Sequence, residues 1–277
     1  MTMRTATDPH EPSPPVEVHP TAVVAPGAWL EPGVVVGPYA VIARDVVIGR
    51  GTRIGAHVII EDGVRIGRDN ELSAGVIVGC QPQDRRFTGE VSYTLIGDRN
   101  LIREYASISR ATGDGEATTI GNDNFIMSYA RIDHNVRIGD RVVVVGGAML
   151  AGHVVLEDGA YVGGMAALHQ FVRVGRLAMV AAQAMLRQDV PPFMLAAGQP
   201  GRCRGLNLVG LRRHGVSAAD RITLRRAFRI LYQSGLGMGA AVQALEAELG
   251  HHPLVRELVD FLRAARERER GVIRWER

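Results

Sequence analysis

The chain has 277 residues, of which 46% are hydrophobic, 22% charged and only 5% aromatic, and its formal net charge is +3 at pH 7. That composition belongs to a globular protein of one or two domains, and no run approaches the roughly 18 to 20 apolar residues of a membrane span, so stable membrane insertion is not expected. All 32 basic residues are arginine, which excludes Schiff-base chemistry, a lysine general base and the phosphate-loop lysine.

Residues 1–15, rich in Pro and Thr and lacking the apolar block of a secretory signal, read as a disordered tail ahead of a cytoplasmic protein. From Val18 onward every sixth residue is aliphatic: Val18, Val24, Leu30, Val36, Ile42 and so on without exception to Val78. The series misses at Asp84 and Glu90, resumes at Ile96, misses again at Asp114, and runs from Ile120 to Leu186, giving 26 aliphatic residues at 29 consecutive sixth positions. Neither a helix nor a simple hairpin has period six. A hexapeptide repeat predicts a parallel β-helix, in which each short strand forms one side of a coil and stacked coils bury the aliphatic column. Three hexads per triangular coil put residues eighteen apart on top of one another, and about ten coils rising about 4.8 Å each make a prism roughly 45 to 50 Å long. Glycines that follow the aliphatic residue, such as Gly37, Gly49, Gly55 and Gly163, are expected to serve tight turns. Cys80 to Leu95 and Arg110 to Thr119, where the series fails, read as loops leaving the prism.

The repeat domain spans residues 16–190 and is expected to stop at Asp189-Val190-Pro191-Pro192, because consecutive prolines cannot donate to a ladder. Residues 191–277 read as a helical domain. Ser217 with Asp220 forms a capping signal ahead of an apolar stripe of Ile222, Leu224, Phe228, Ile230 and Leu231 ending near Gly235; further helices are predicted over Gly239–Leu249 and Leu254–Arg270, the last with Leu258, Phe261 and Leu262 inward. This third of the chain holds 15 arginines against 8 acids, whereas residues 1–190 hold 17 against 21. Such a surface suits nucleic acid, a membrane surface or an acidic protein, and charge alone does not choose among them. Cys80 and Cys203 are too few and too isolated for a disulfide framework.

Histidine is the natural acid/base candidate, and His134, His153 and His169 fall on adjoining coils. Adding eighteen to 134 lands on Gly152, with His153 beside it, while His169 falls two residues short of the stacked position. A single histidine on an exposed turn is an ordinary polar residue; three on adjoining coils point to a groove. Zinc is the rival use, but the spacings of 19 and 16 residues and the absence of a close His pair argue against a metal site. No nucleophile elbow or dinucleotide fingerprint occurs.

Several non-repeat segments carry a resemblance. Gly79-Cys80-Gln81-Pro82-Gln83-Asp84-Arg85-Arg86-Phe87, Ile132-Asp133-His134-Asn135, Leu150-Ala151-Gly152-His153, Gly163 to Phe171, Gln188 to Pro192 and Gly205 to Arg213, together with the hexads, resemble the acyl-carrier-protein-dependent UDP-N-acetylglucosamine O-acyltransferases, which open lipid A synthesis. The resemblance covers nearly everything after residue 15. It implies a mainly β fold, a left-handed parallel β-helix followed by a C-terminal α-helical domain, and a cytoplasmic homotrimer with active sites between adjacent subunits. The periodicity does not give handedness, and the usual right-handed crossover would suggest the opposite. No cofactor is implied; the co-substrate is the thioester of acyl carrier protein, an acidic partner for Arg202, Arg204, Arg212, Arg221, Arg225 and Arg226. On the matching positions, His134 is the general base toward the sugar 3-hydroxyl and Gly152 the oxyanion donor. Asp84, Arg86, His153, His169 and Gln170 match substrate contacts, Asn207 and Arg213 the nucleotide side, and Ala182 the position that limits acyl length.

The departures are as informative. Asn135 stands where the family usually has Asp beside the base, with Asp133 as an alternative orienting group. Arg131 replaces a histidine near the sugar, Arg86 a loop lysine, and Val209 and His214 a polar and a basic residue. Ala182 where Gly is frequent implies a slightly shortened acyl pocket. A 3-amino-sugar N-acyltransferase is the nearest alternative; a catalytically weakened binding protein and a hexapeptide metalloenzyme are the others.

Overall fold

The computed structural model describes residues 14–268 and 270–275; the tail expected over residues 1–15 lies, as far as residue 13, outside them. Three sheets of eleven, nine and eight strands, parallel except for the last strand of the first, form the faces of a triangular prism among the described residues, and the coil is a left-handed parallel β-helix followed by helices. The first face starts at Glu17–Val18, the second at Val23–Val24 and the third at Trp29–Leu30. Stacked partners are eighteen residues apart, as in Val18 over Val36 and Val36 over Ile54. The spacing lengthens where the excursions leave, so Leu72 pairs with Ile102 and Ile102 with Ile126.

Two columns point inward. The aliphatic one is joined, two residues earlier in each hexad, by a column of smaller residues including Val34, Ala40, Val58, Ala106, Ala148 and Ala166, all fully buried. A triangular coil narrows at its corners, so bulky and small side chains must alternate to fill it at close-packed density. Three asparagines enter the small column without being orphaned: Asn100 Nδ2 donates to Asn70 Oδ1 and Asn124 Nδ2 to Asn100 Oδ1, each at 2.9 Å. Asn124 Oδ1 accepts the Val142 N–H at 2.7 Å.

The glycines that follow the aliphatic column do not supply the turn conformation. Positive φ falls two residues later, on Tyr39, His57, Asp69, Arg99, Tyr105 and their successors. Glycine is needed for space: a Cβ on Gly49 would sit 2.5 Å from the Gly67 carbonyl carbon of the next coil. Both excursions are shorter than expected. Strands Tyr93–Ile96 and Ala117–Ile120 already belong to the third face and pair over their full length, because Thr94 and Thr118 take small-column positions that an aliphatic count overlooks.

The prolines do not end the first sheet either. Pro191 and Pro192 sit in a corner, where no ladder N–H is required, and strand Met194–Ala197 resumes parallel pairing with Met179–Val180 before a hairpin to Arg202–Leu206. Among the described residues four helices follow: α1 (Leu208–Arg213), α2 (Ala218–Gln233), α3 (Met238–Leu249) and α4 (Pro253–Arg266). Ser217 caps α2 as expected, accepting the Asp220 N–H at 3.0 Å, and Leu258, Phe261 and Leu262 are buried, but Ile222 is exposed because the stripe of α2 that meets its neighbours runs through Leu224, Ala227, Phe228 and Leu231. Helix α4 stops short of Arg270 and the chain returns to the prism, with Val272 bridging Asp189 and Trp275 bridging Cys203. The helices dock on the last coils through the Arg176–Glu257 pair (2.7 Å) and Arg173 stacked on Phe261.

Candidate active site

His134 follows strand Arg131–Ile132 at the corner between the second and third faces, with the residue 3% exposed. Its Nδ1 lies 2.9 Å from Asn135 Oδ1. The Asn135 amide can face only one way: Oδ1 accepts the Thr112 N–H at 2.9 Å and Nδ2 donates to the Thr112 carbonyl at 3.0 Å. The backbone of the second excursion therefore dictates which end of the amide meets the imidazole. An amide oxygen only accepts, so in the neutral ring the proton sits on Nδ1 and the lone pair on Nε2. A neutral imidazole with a bare Nε2 is the form a general base requires. Asp133 is not the orienting group, because its carboxylate is committed to Arg131 at 2.8 Å.

The next coil closes over the ring. The His153 N–H donates to the His134 carbonyl at 3.0 Å, and Gly152 lies so near that a Cβ there would be 2.4 Å from Nε2 and 2.5 Å from Cε1. The Gly152 N–H has no acceptor among the described residues. His153 meets His134 edge-on, with centroids 5.3 Å apart, and stacks on Phe171 at 4.6 Å. Burial, then the neighbouring His134 and Arg86, push the His153 imidazole below its ordinary pKa, which keeps it neutral at neutral pH. Phe171, not His169, occupies the stacked position. His169 and Gln170 are exposed one coil further on, and among the three histidines the ring contact found in the described residues is that of His134 with His153.

From the first excursion, Asp84 Oδ2 approaches His134 Nε2 to 4.0 Å. Arg86 grips Asp84 at 2.9 Å and holds its carboxyl down at about 2, while the guanidinium is 72% exposed and faces an open cleft of about 460 Å³ between the two excursions. Arg86, Thr88, Glu90, Thr112, Gly113 and His153 line that cleft. Two participants escaped the sequence reading, Thr112 and Phe171. The eighteen-residue offset from His153 signals Phe171; nothing in the sequence signals Thr112.

The remaining predicted residues lie elsewhere on this chain. Asn207 is buried as the cap of α1, accepting the Gly210 N–H at 3.0 Å and donating to the Leu177 carbonyl at 2.9 Å. Arg213 is exposed in the last turn of that helix. Leu177 and Gly159, which meet Asn207 and His214, form the corner between the third and first faces. Ala182 is exposed at the corner between the first and second, its N–H nitrogen 2.4 Å from where a Gly163 Cβ would lie. One chain thus spreads the predicted site residues over three corners. Among the described residues no group of three His, Cys, Asp or Glu is arranged to hold a metal ion, and no helix is long and apolar enough to cross a membrane.

A prism of hexapeptide coils with a buried, tautomer-fixed imidazole at one corner defines a hexapeptide-repeat transferase, and the family profile described as "Bacterial transferase hexapeptide (six repeats)" matches residues 117–152. The profile "Udp N-acetylglucosamine O-acyltransferase; Domain 2" matches residues 189–273. The chain is 46% identical over 189 residues, 68% of each chain, to the acyl-[acyl-carrier-protein]–UDP-N-acetylglucosamine O-acyltransferase of Gloeothece citriformis. It is 42% identical to that of Thiobacillus denitrificans, over 93% of this chain and 99% of that one. The solved UDP-N-acetylglucosamine acyltransferase of Francisella novicida superposes with a TM-score of 0.89 at 33% identity, covering 93% of this chain and 94% of that one. The Bacteroides fragilis structure gives 0.89 at 37%, covering 93% and 100%. The chain belongs to the family of acyl-[acyl-carrier-protein]–UDP-N-acetylglucosamine O-acyltransferases.

Proposed function

We propose that this chain transfers a 3-hydroxyacyl group from acyl carrier protein to the 3-hydroxyl of UDP-N-acetylglucosamine, the acylation that opens lipid A synthesis. The observation that carries the reading is the buried His134, with Nδ1 held by Asn135 and Nε2 bare beneath Gly152. The sugar O3 attacks the thioester carbonyl and its proton passes to His134 Nε2. Charge on the carbonyl oxygen is met by the Gly152 N–H. Collapse expels the carrier thiol, which takes the proton from His134, and leaves the ester on O3. In this reading Asp84, His153, His169 and Gln170 contact the substrate, and Arg86 supplies a planar donor. His134→Ala should reduce kcat by about 10²–10⁴-fold in a protein that remains folded. The decisive assay offers UDP-N-acetylglucosamine and its 3-amino analogue with carrier proteins bearing several acyl lengths. Turnover confined to the 3-amino sugar would overturn the acceptor assignment, and preference for the longest chains would overturn the role of Ala182.

We also propose that the working form is a cytoplasmic homotrimer. A site whose base, length-limiting residue and nucleotide-side arginine occupy different corners of one prism is completed when copies pack side by side around a threefold axis. A monomer by light scattering that retained full turnover would exclude this. The carrier's acidic surface is met by the arginines of α1 and α2. Arg212 and Arg225 are exposed there, whereas Arg226 pairs with Glu248 and Arg221 donates to the Val216 carbonyl.

A further inference from the structure

Glu90 stands at one of the positions where the aliphatic series fails, and nothing in the reaction above uses it. Its carboxylate ties the two excursions together. Oε2 accepts the Thr88 N–H at 2.8 Å and Oε1 accepts the Gly113 N–H, from the other excursion, at 2.9 Å. A second link runs beside it, from the Gly115 N–H to the Val91 carbonyl at 2.7 Å. These backbone donors, Gly113 first and Thr88 second, hold the Glu90 carboxyl down at about 2, so it is an anion with only acceptor character at working pH.

The Gly113 N–H and the Thr112 carbonyl belong to one planar peptide unit. Glu90 holds the N–H end of that plane, and Asn135 Nδ2 donates to its carbonyl end at 3.0 Å. The same Asn135 amide sets the tautomer of His134. We infer that Glu90 is a positioning residue for the general base, acting through the Thr112–Gly113 peptide and the Asn135 amide. The inference rests on the role of His134 proposed above.

The plane needs a latch because Gly113, with φ of 104°, tolerates alternatives that a side chain would forbid. If the plane turns over, the Gly113 N–H replaces the Thr112 carbonyl opposite Asn135 Nδ2, and two donors face each other. Rotating the amide relieves this clash and turns Nδ2 toward His134 Nδ1, but it also sets Nδ2 against the Thr112 N–H, so neither orientation is fully paired and the amide no longer fixes one tautomer. In the rotated form the imidazole must accept at Nδ1 and carry its proton on Nε2, where it can no longer take one from the sugar. Glu90→Gln keeps the size of the side chain but leaves one acceptor atom for donors on two excursions.

The test uses the full-length chain and its Glu90→Gln and Glu90→Ala variants, with two readouts. At saturating substrates, kcat should fall about tenfold or more, with KM for the UDP-sugar within about twofold of the parent, as for other outer partners of a reacting group. In ¹⁵N-histidine-labelled protein, with His134→Gln supplying the assignment, the parent should show a protonated Nδ1 and a bare Nε2, and the variants should show the other tautomer or a mixture. The second readout needs no turnover, so it tests the linkage even if the acceptor is a different sugar. A raised KM at unchanged kcat would mean that Glu90 touches substrate, and an unchanged His134 tautomer would mean that the peptide does not connect them; either result overturns the inference.

Discussion

Replacing Gly152 by alanine separates the position of the base from every other feature of the site. The residue does not require glycine's conformational freedom, since its φ is not in the left-handed region. It is glycine because the imidazole of the coil below occupies the place of its side chain. A Cβ would lie 2.4 Å from His134 Nε2, and ordinary contact is about 3.5 Å, so something must move by about 1 Å. The ring has little choice of direction: it is tethered at Nδ1 by Asn135, buried, and edged by His153. Displacing a reacting group by about 1 Å costs about 10²-fold, close to 2.7 kcal/mol of barrier. Gly152→Ala should therefore lower kcat about a hundredfold while the protein still folds, because the backbone N–H and the strand pairing are retained and overpacking costs only about 1–3 kcal/mol, a fall of a few degrees in the thermal midpoint. Steady-state acyl transfer measured beside a melting curve checks both parts. A folded variant with kcat within threefold of the parent would refute the reasoning, because the proposed contact between Gly152 and the ring would then not constrain the base.

Three further outcomes follow from the same contacts. Asn135→Asp replaces the donor that faces the half-buried Thr112 carbonyl with an acceptor; leaving that carbonyl opposed should cost about 1–3 kcal/mol, read as a fall of roughly 2–4 °C in Tm per kcal/mol for a chain of this size, and an unchanged midpoint would show that the clasp does not hold the fold. Asp189, fully buried, accepts the Arg173 N–H at 2.7 Å and lies 3.3 Å from Arg268, so Asp189→Ala should destabilise by about 1–3 kcal/mol. Burial raises this carboxyl above its ordinary 3.8, and a raised acid stabilises the fold more as pH falls through the raised value; the deficit of the variant should therefore be larger in mildly acidic than in neutral buffer, and a deficit independent of pH would contradict it. Raising salt from about 0.05 to about 0.5 M shortens the screening length several-fold and should raise KM for acyl carrier protein while sparing that for the UDP-sugar; salt-independent carrier binding would remove the case for steering by the arginine face.

The fold was legible because a solenoid repeats one local decision many times. A single column of aliphatic residues predicted the strands, and an offset of eighteen placed Gly152 over His134. What that period cannot reach was misread. Pro191 and Pro192 suggested a terminus because prolines are incompatible with a ladder, yet they occupy a corner. Ile222 matched a helical stripe but falls on the outer side of α2. Helix α1 is six residues long, too short to show a period, and without it Asn207 looks like a free polar side chain instead of a cap. The contacts that matter most to the base, Thr112 with Asn135 and Glu90 with Gly113, join two aperiodic excursions, and no spacing rule relates residues 23 apart there.

The three corners of the prism carry different chemistry, and this bears on how copies associate. Because each corner position recurs with the coil, one kind of side chain forms a column. Between the third and first faces the column reads Asp69, Arg99, Asp123, Arg141, and Arg99 binds Asp123 at 2.8 Å while Asp158 answers Arg141 at 3.8 Å. That edge satisfies itself and remains compatible with water. Between the first and second faces the column includes Tyr39, Tyr105, Tyr129 and Met165; the Tyr105 and Tyr129 rings stack on each other at 5.3 Å, and Tyr129 and Met165 are each 66% exposed. Met149 and Met185 extend this surface onto the second face. These apolar side chains are exposed in the single chain, and apolar area gains free energy on leaving water in proportion to its size. In the trimer proposed above, association through that edge would cover these side chains and bring the corner that carries Ala182 against a neighbouring chain, where an acyl-length limit could act.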